Sequence, residues 1–196
     1  FLDIPDVDSV YGMAKHIDHL DNIINSYPTR AFKFTTLIEN CFICQPAVFF
    51  RRRILGKSGL LDQSLNYCMD YEFWIRLARM GFKFAYLEKT IAGSRIYLEN
   101  KTLSAKVAVH KEINDMLKSH LHYVPKLPII NYAYAVVSDE LDKNATPYRF
   151  AYRILKESLN AAKYWNNGTM RFLQQASGHW LKALLTGRFA QWYKAS

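Results

Sequence analysis

No stretch of this 196-residue chain supplies the roughly 18 uninterrupted apolar residues that a helix needs to cross a bilayer. The nearest approach, Leu127 to Val137, is short and contains Pro128 and Asn131, so no transmembrane segment is expected. The first residues carry neither a basic cluster nor an apolar run, and no secretion signal is expected. Cysteine is scarce. Cys41 and Cys44 form a C-x-x-C in an apolar run, and Cys68 stands apart; neither a second Cys pair nor a His pair lies near them. Packed, reduced thiols are therefore expected in preference to a zinc or redox site, which points to a reducing, cytoplasmic compartment. Low-complexity runs and repeats are also missing, which excludes disordered and solenoid architectures. Acidic residues run out toward the end: from Lys143 onward there are 9 Lys/Arg against 1 Asp/Glu.

Half of the residues are apolar and 15% aromatic, enough to bury a sizeable core. The net charge of +9 is uneven: residues 1–118 carry 16 Lys/Arg against 13 Asp/Glu, and residues 119–196 carry 10 against 4. Two domains are expected at that division. In the first, Asp8 to Gly12 reads as the end of a short strand, and residues 16–25 as a turn-prone region. Phe32 to Asn40 reads as a short helix or turn. Cys41 to Phe50 reads as a buried strand interrupted at Gln45-Pro46. Arg51 to Leu61 predicts a basic turn and short helix. Phe73, Trp74, Leu77, Ala78 and Met80 fall at helical spacing after Asp70, with Gly81 as the stop. Phe84 to Ile91 predicts a strand, with another over Ser94 to Leu98. A helix is expected from Leu103 to about His122. Thr146-Pro147 marks the start of another, and Asn166-Asn167-Gly168 its end. The expected class is α/β: a sheet with flanking helices, then an all-helical extension.

Asp70 stands at the start of its predicted helix. Such a carboxylate commonly serves as a cap; the same N-terminal field would also keep it ionised, as a general base requires. Gln45, in the predicted buried strand, needs partners for its amide, either neighbouring backbone or a ligand. Trp74 falls on the apolar face of its helix, as a core residue would.

Ile43 to Arg52, followed by Tyr67 to Leu77 with Met69-Asp70-Tyr71-Glu72-Phe73-Trp74 at its centre, resembles the acceptor half of inverting family 2 glycosyltransferases of the GT-A type. The resemblance covers about residues 7–118. It implies a partial GT-A-like (nucleotide-diphospho-sugar transferase) sheet, with 119–196 as a basic, aromatic-rich helical extension. It gives Asp70 the position of the base. Gln45 and Pro46 would run beside the acceptor pocket, and Glu72 would assist Asp70 or contact acceptor hydroxyls, with Trp74 on the same helix. Arg52, in the triplet Arg51-Arg52-Arg53, would approach a phosphate. Arg95 and Lys101 would contact the donor diphosphate, in a segment where the family's His is replaced by Tyr97.

Such enzymes hold Mg²⁺ or Mn²⁺ with an Asp-x-Asp pair. Asp6 and Asp8 have that spacing but match a later strand, so the resemblance places the metal ligands and the nucleotide-binding half upstream of residue 1. The implied partners are a nucleotide-sugar donor and a glycan, lipid-linked or other hydroxyl acceptor. For the basic tail, peripheral contact with an anionic membrane and packing on the core are both open; no nucleic-acid module is recognisable. The alternative to an enzyme is a catalytically silent binding module or membrane-surface adaptor.

Overall fold

The computed structural model describes residues 6–96 and 105–174. It divides into two compact units, residues 1–105 and 106–196.

The first unit is α/β and is built around one strand. Strand β1, Ser9–Ile17, pairs in parallel with β4, Phe84–Arg95, along its whole length. Its other edge is shared by two short antiparallel strands: β3, Val48–Phe50, pairs with Ser9 to Tyr11, and β2, Ile23–Ser26, pairs with Lys15 to Ile17. Parallel pairing needs a long crossover, and the intervening chain supplies it with the short helices α1, Phe34–Leu37, and α2, Leu55–Ser58, and the longer α3, Met69–Arg79. The four-stranded mixed sheet with flanking helices agrees with the α/β class expected from sequence.

Strand β4 is longer than β1 because it bulges. Gly12 faces Leu87, but the next residue, Met13, faces Thr90, and Ala14 faces Ala92. The extra residues press against Gly12, where a Cβ would lie 2.7 Å from the Ile91 side chain and 2.9 Å from the Lys89 carbonyl oxygen. Glycine is what lets the bulge approach. The two strands predicted over Phe84–Ile91 and Ser94–Leu98 are therefore one bulged strand as far as Arg95.

Asp8 leads into β1 and is buried. One of its oxygens accepts from Arg53 Nη2 at 2.9 Å and the other from the Lys83 backbone N–H at 2.9 Å. Burial pushes its carboxyl up, but these donors outweigh it and bring the pKa below the usual value.

The second unit is helical throughout its described residues: α4, Lys106–Leu121, α5, Lys126–Glu140, and α6, Pro147–Asn166, each pack on the other two. The sequence division at 118/119 falls inside α4. Helix α6 begins and ends where Thr146-Pro147 and the left-handed Asn167 indicate. Its buried stripe, including Phe150, Ile154 and Trp165, joins Ile129, Val137 and Phe172 in one core. Among the described residues Phe150, Trp165 and Phe172 thus serve the unit's own packing, while Tyr148, Tyr152 and Tyr164 are exposed. Among the described residues no helix is long and apolar enough to cross a membrane.

Gly12→Ala should destabilise the first unit by about 2 kcal/mol, because a backbone carbonyl cannot yield as a flexible side chain can. Urea unfolding of the variant beside the parent measures it, and an unchanged midpoint would contradict the close approach.

Candidate active site

Helix α3 carries the centre of the site. Its apolar residues Phe73, Trp74, Ile75 and Leu77 are buried, and Tyr71 donates from its hydroxyl to the Leu37 carbonyl at 2.5 Å, which ties the first turn to α1. The residue before the helix is Cys68, whose side chain makes no capping bond. Asp70 is therefore not the cap but the second residue of the helix. Its Oδ1 accepts from the Tyr71 backbone N–H at 2.8 Å.

Burial pushes the Asp70 carboxyl above the usual carboxylate range, against the backbone N–H groups of Tyr71 and Asp70 itself, which pull it down. The field of the helix N-terminus favours the ionised form, and desolvation opposes it more strongly. Because the pKa is higher in the folded state than in the unfolded, the protonated side chain favours folding. That contribution is full below the ordinary carboxylate pKa and is lost as pH rises through the raised value. Burial also pushes up Tyr27, Cys41 and Cys44, the last to about 11, with the charge of nearby Asp70 adding to each. Thiols so shifted are protonated near neutral pH, consistent with packed cysteines.

Asp70 is only half-buried, and it opens into a cavity of about 530 Å³. Gln45 lines this cavity from the turn before β3, Val48 from the start of β3, and Phe73 and Trp74 from α3. Leu55, Leu60, Leu61 and Gln63 supply the remaining wall with Phe50. Gln45 thus meets Asp70 at one site, as expected, though by a different local structure. The segment is not a continuous buried strand: Gln45–Ala47 is a 3-10 turn, and the Gln45 and Pro46 side chains are exposed. Proline near the start of such a turn loses no needed donor, whereas inside a ladder it would. Trp74 is both core and cavity wall, and its buried Nε1 has no hydrogen-bond partner among the described residues.

Other sequence candidates have different surroundings. Glu72 is 5% exposed and holds Arg76 through two bonds, Arg76 Nε to Oε1 at 2.9 Å and Nη2 to Oε2 at 2.8 Å. Arg76 in turn donates to the carbonyls of Ser58 and Leu60, so the pair pins the loop that bears the Leu60–Leu61 wall. Arg95 donates to the Asp18 carbonyl and to Asp21 Oδ1, both at 2.6 Å, and so braces the β1–β2 hairpin. Arg52 is exposed at the start of a 3-10 turn, and Pro46 and Arg52 do not line the cavity. Lys101 lies outside the described residues. The Leu55–Gln63 wall is the part that sequence reasoning missed. Its signal was available: two adjacent leucines after Gly59 in an otherwise polar turn have no reason to be there unless they face something apolar.

No protein-family model matches the chain. Over 103 residues it is 27% identical to the uncharacterized glycosyltransferase MJ1057 of Methanocaldococcus jannaschii, a stretch that is 50% of this chain and 35% of that protein. The chain thus spans about a third of the length of the relative it matches. At this coarse level the similarity connects it with glycosyl transfer.

Glu72→Ala should cost about 3 kcal/mol, since it leaves the Arg76 guanidinium without its carboxylate at a mostly buried position. Denaturant unfolding checks this; a loss within about 0.5 kcal/mol would mean the pair behaves as a surface contact.

Proposed function

We propose that this chain is the acceptor-side half of an inverting, nucleotide-sugar-dependent glycosyltransferase of the GT-A type, family 2, with Asp70 as its general base. One observation carries the reading. The carboxylate at the start of the Met69-to-Trp74 motif is partly desolvated yet open to a cavity large enough for a small-molecule group. The similarity to a glycosyltransferase supports it independently.

In this mechanism an acceptor hydroxyl enters the cavity and lies within hydrogen-bond reach of Asp70. Its oxygen bonds to the anomeric carbon of the donor sugar while its proton passes to the Asp70 carboxylate. The bond from that carbon to the nucleoside diphosphate breaks on the opposite face, and the diphosphate leaves with the electron pair. A carboxylate of raised pKa is a stronger base than an ordinary one and stays ionised once the pH exceeds that raised value. Gln45 can hold the acceptor hydroxyl from the other side. Among the described residues no three His, Cys, Asp or Glu side chains are grouped to hold a metal ion, and Asp8 is engaged with Arg53 and Lys83. The Mg²⁺ or Mn²⁺ of such enzymes would be held by residues outside them.

Joined to its nucleotide-binding half, the protein should lose about a thousandfold in turnover on Asp70→Asn while donor affinity is unchanged. The parent rate should climb with pH on an acid limb set above the ordinary Asp pKa of about 3.9. Retention of more than about a tenth of the turnover by the Asn variant removes Asp70 from the role.

A further inference from the structure

The lining of the Asp70 cavity carries information about what enters it. Gln45, Gln63 and Asp70 are its polar residues, and the rest of the wall is apolar or aromatic. Among them Leu60 is 69% exposed, Phe50 39% and Leu61 38%. Large side chains left in water at the edge of a cavity are surface that a ligand can cover. The loop bearing the two leucines is held by Arg76 through the Ser58 and Leu60 carbonyls, so this apolar rim is braced in place.

Aromatic side chains are the usual platforms for sugar rings, but of the three in this wall only Phe50, itself packed against Phe73, is exposed. Phe73 is packed edge-on by Phe50 at 5.8 Å, lies 5.5 Å from Trp74, and has the Arg76 guanidinium 5.1 Å from its centre. Phe73 and Trp74 are almost fully buried and offer no open ring for stacking. A glycan also brings a hydroxyl on nearly every carbon, and each loses water on entry and needs a partner. Three polar side chains cannot serve that many groups. They can serve one.

We propose that the cavity takes an acceptor whose reacting hydroxyl is borne on an alkyl or isoprenoid body, the hydroxyl meeting Asp70 and the chain covering Phe50, Leu60 and Leu61. The inference rests on the reading of this cavity as the acceptor site, and it deepens that reading by naming the substrate class. Volume and lining agree, since binding sites of this size are usually apolar with a few convergent polar groups.

The test uses the 196-residue chain, titrated separately with 1-octanol and with methyl β-D-glucopyranoside, following the Trp74 indole N–H resonance assigned through Trp74→Phe. Octanol should bind at least about tenfold more tightly than the glucoside, and Leu61→Asp should weaken octanol by about tenfold without changing the glucoside. Should Leu61→Asp disturb folding, Leu60→Asp at the more exposed position gives the same readout. Equal binding of the two probes, or octanol binding indifferent to both Asp variants, overturns the proposal. Octanol binding that persists while Asp70→Asn retains transfer defeats the base assignment and leaves this inference standing. Loss of transfer in Asp70→Asn with no octanol preference does the reverse.

Discussion

Strand β1 is hydrogen bonded along both edges, and the position of everything near Asp70 follows from that. One edge belongs to β4. The other is divided between β3 at its start and β2 at its end. Between them the Tyr27 backbone N–H donates to the Ala14 carbonyl, and Cys44 and Ala47 pack against Ala14. The 3-10 turn that carries Gln45 is thereby seated against the middle of the central strand, and the segment leading to it carries Cys41 and Cys44 to the neighbourhood of Asp70. Gly12 sets the opposite limit, because only a residue without a side chain admits the β4 bulge.

Helix α3 does two different things with its two carboxylates. Glu72 is fully paired, and through Arg76 it holds a loop; its charge is spent on structure. Asp70, one half-turn earlier, receives the Tyr71 N–H, and burial raises its pKa. The pair shows how neighbouring acids acquire different properties from their surroundings, one neutralised by a guanidinium and the other a half-buried carboxyl lining a cavity. The helix dipole that favours both is the weaker influence at Asp70, where loss of water counts for more.

Helical periodicity and the glycine at its end made α3 readable in the sequence, and the cap-proline signal did the same for α6, because both depend on residues close together in the chain. Asp70 and Gln45, both singled out by the sequence, line one cavity. What the sequence did not disclose depends on distant partners. Arg95 looks like a phosphate ligand until the hairpin carbonyl of Asp18 and the carboxylate of Asp21 are found beside it. Residues 41–50 read as one strand because they are apolar, yet their burial comes from packing on β1 rather than from a continuous ladder. The adjacent Leu60 and Leu61 were a signal in themselves, but what holds them in place lies in Arg76, sixteen residues away from Leu60.

Burial has made the Asp70 carboxylate more basic than usual while leaving it in the wall of a cavity. A ¹³C NMR titration of the Asp70 side-chain carboxyl in the intact chain examines this directly. The structure predicts a midpoint above the ordinary Asp value of about 3.9 and a response of that resonance when a hydroxyl compound occupies the cavity. A midpoint at or below that value, with no response to any such compound, would contradict it.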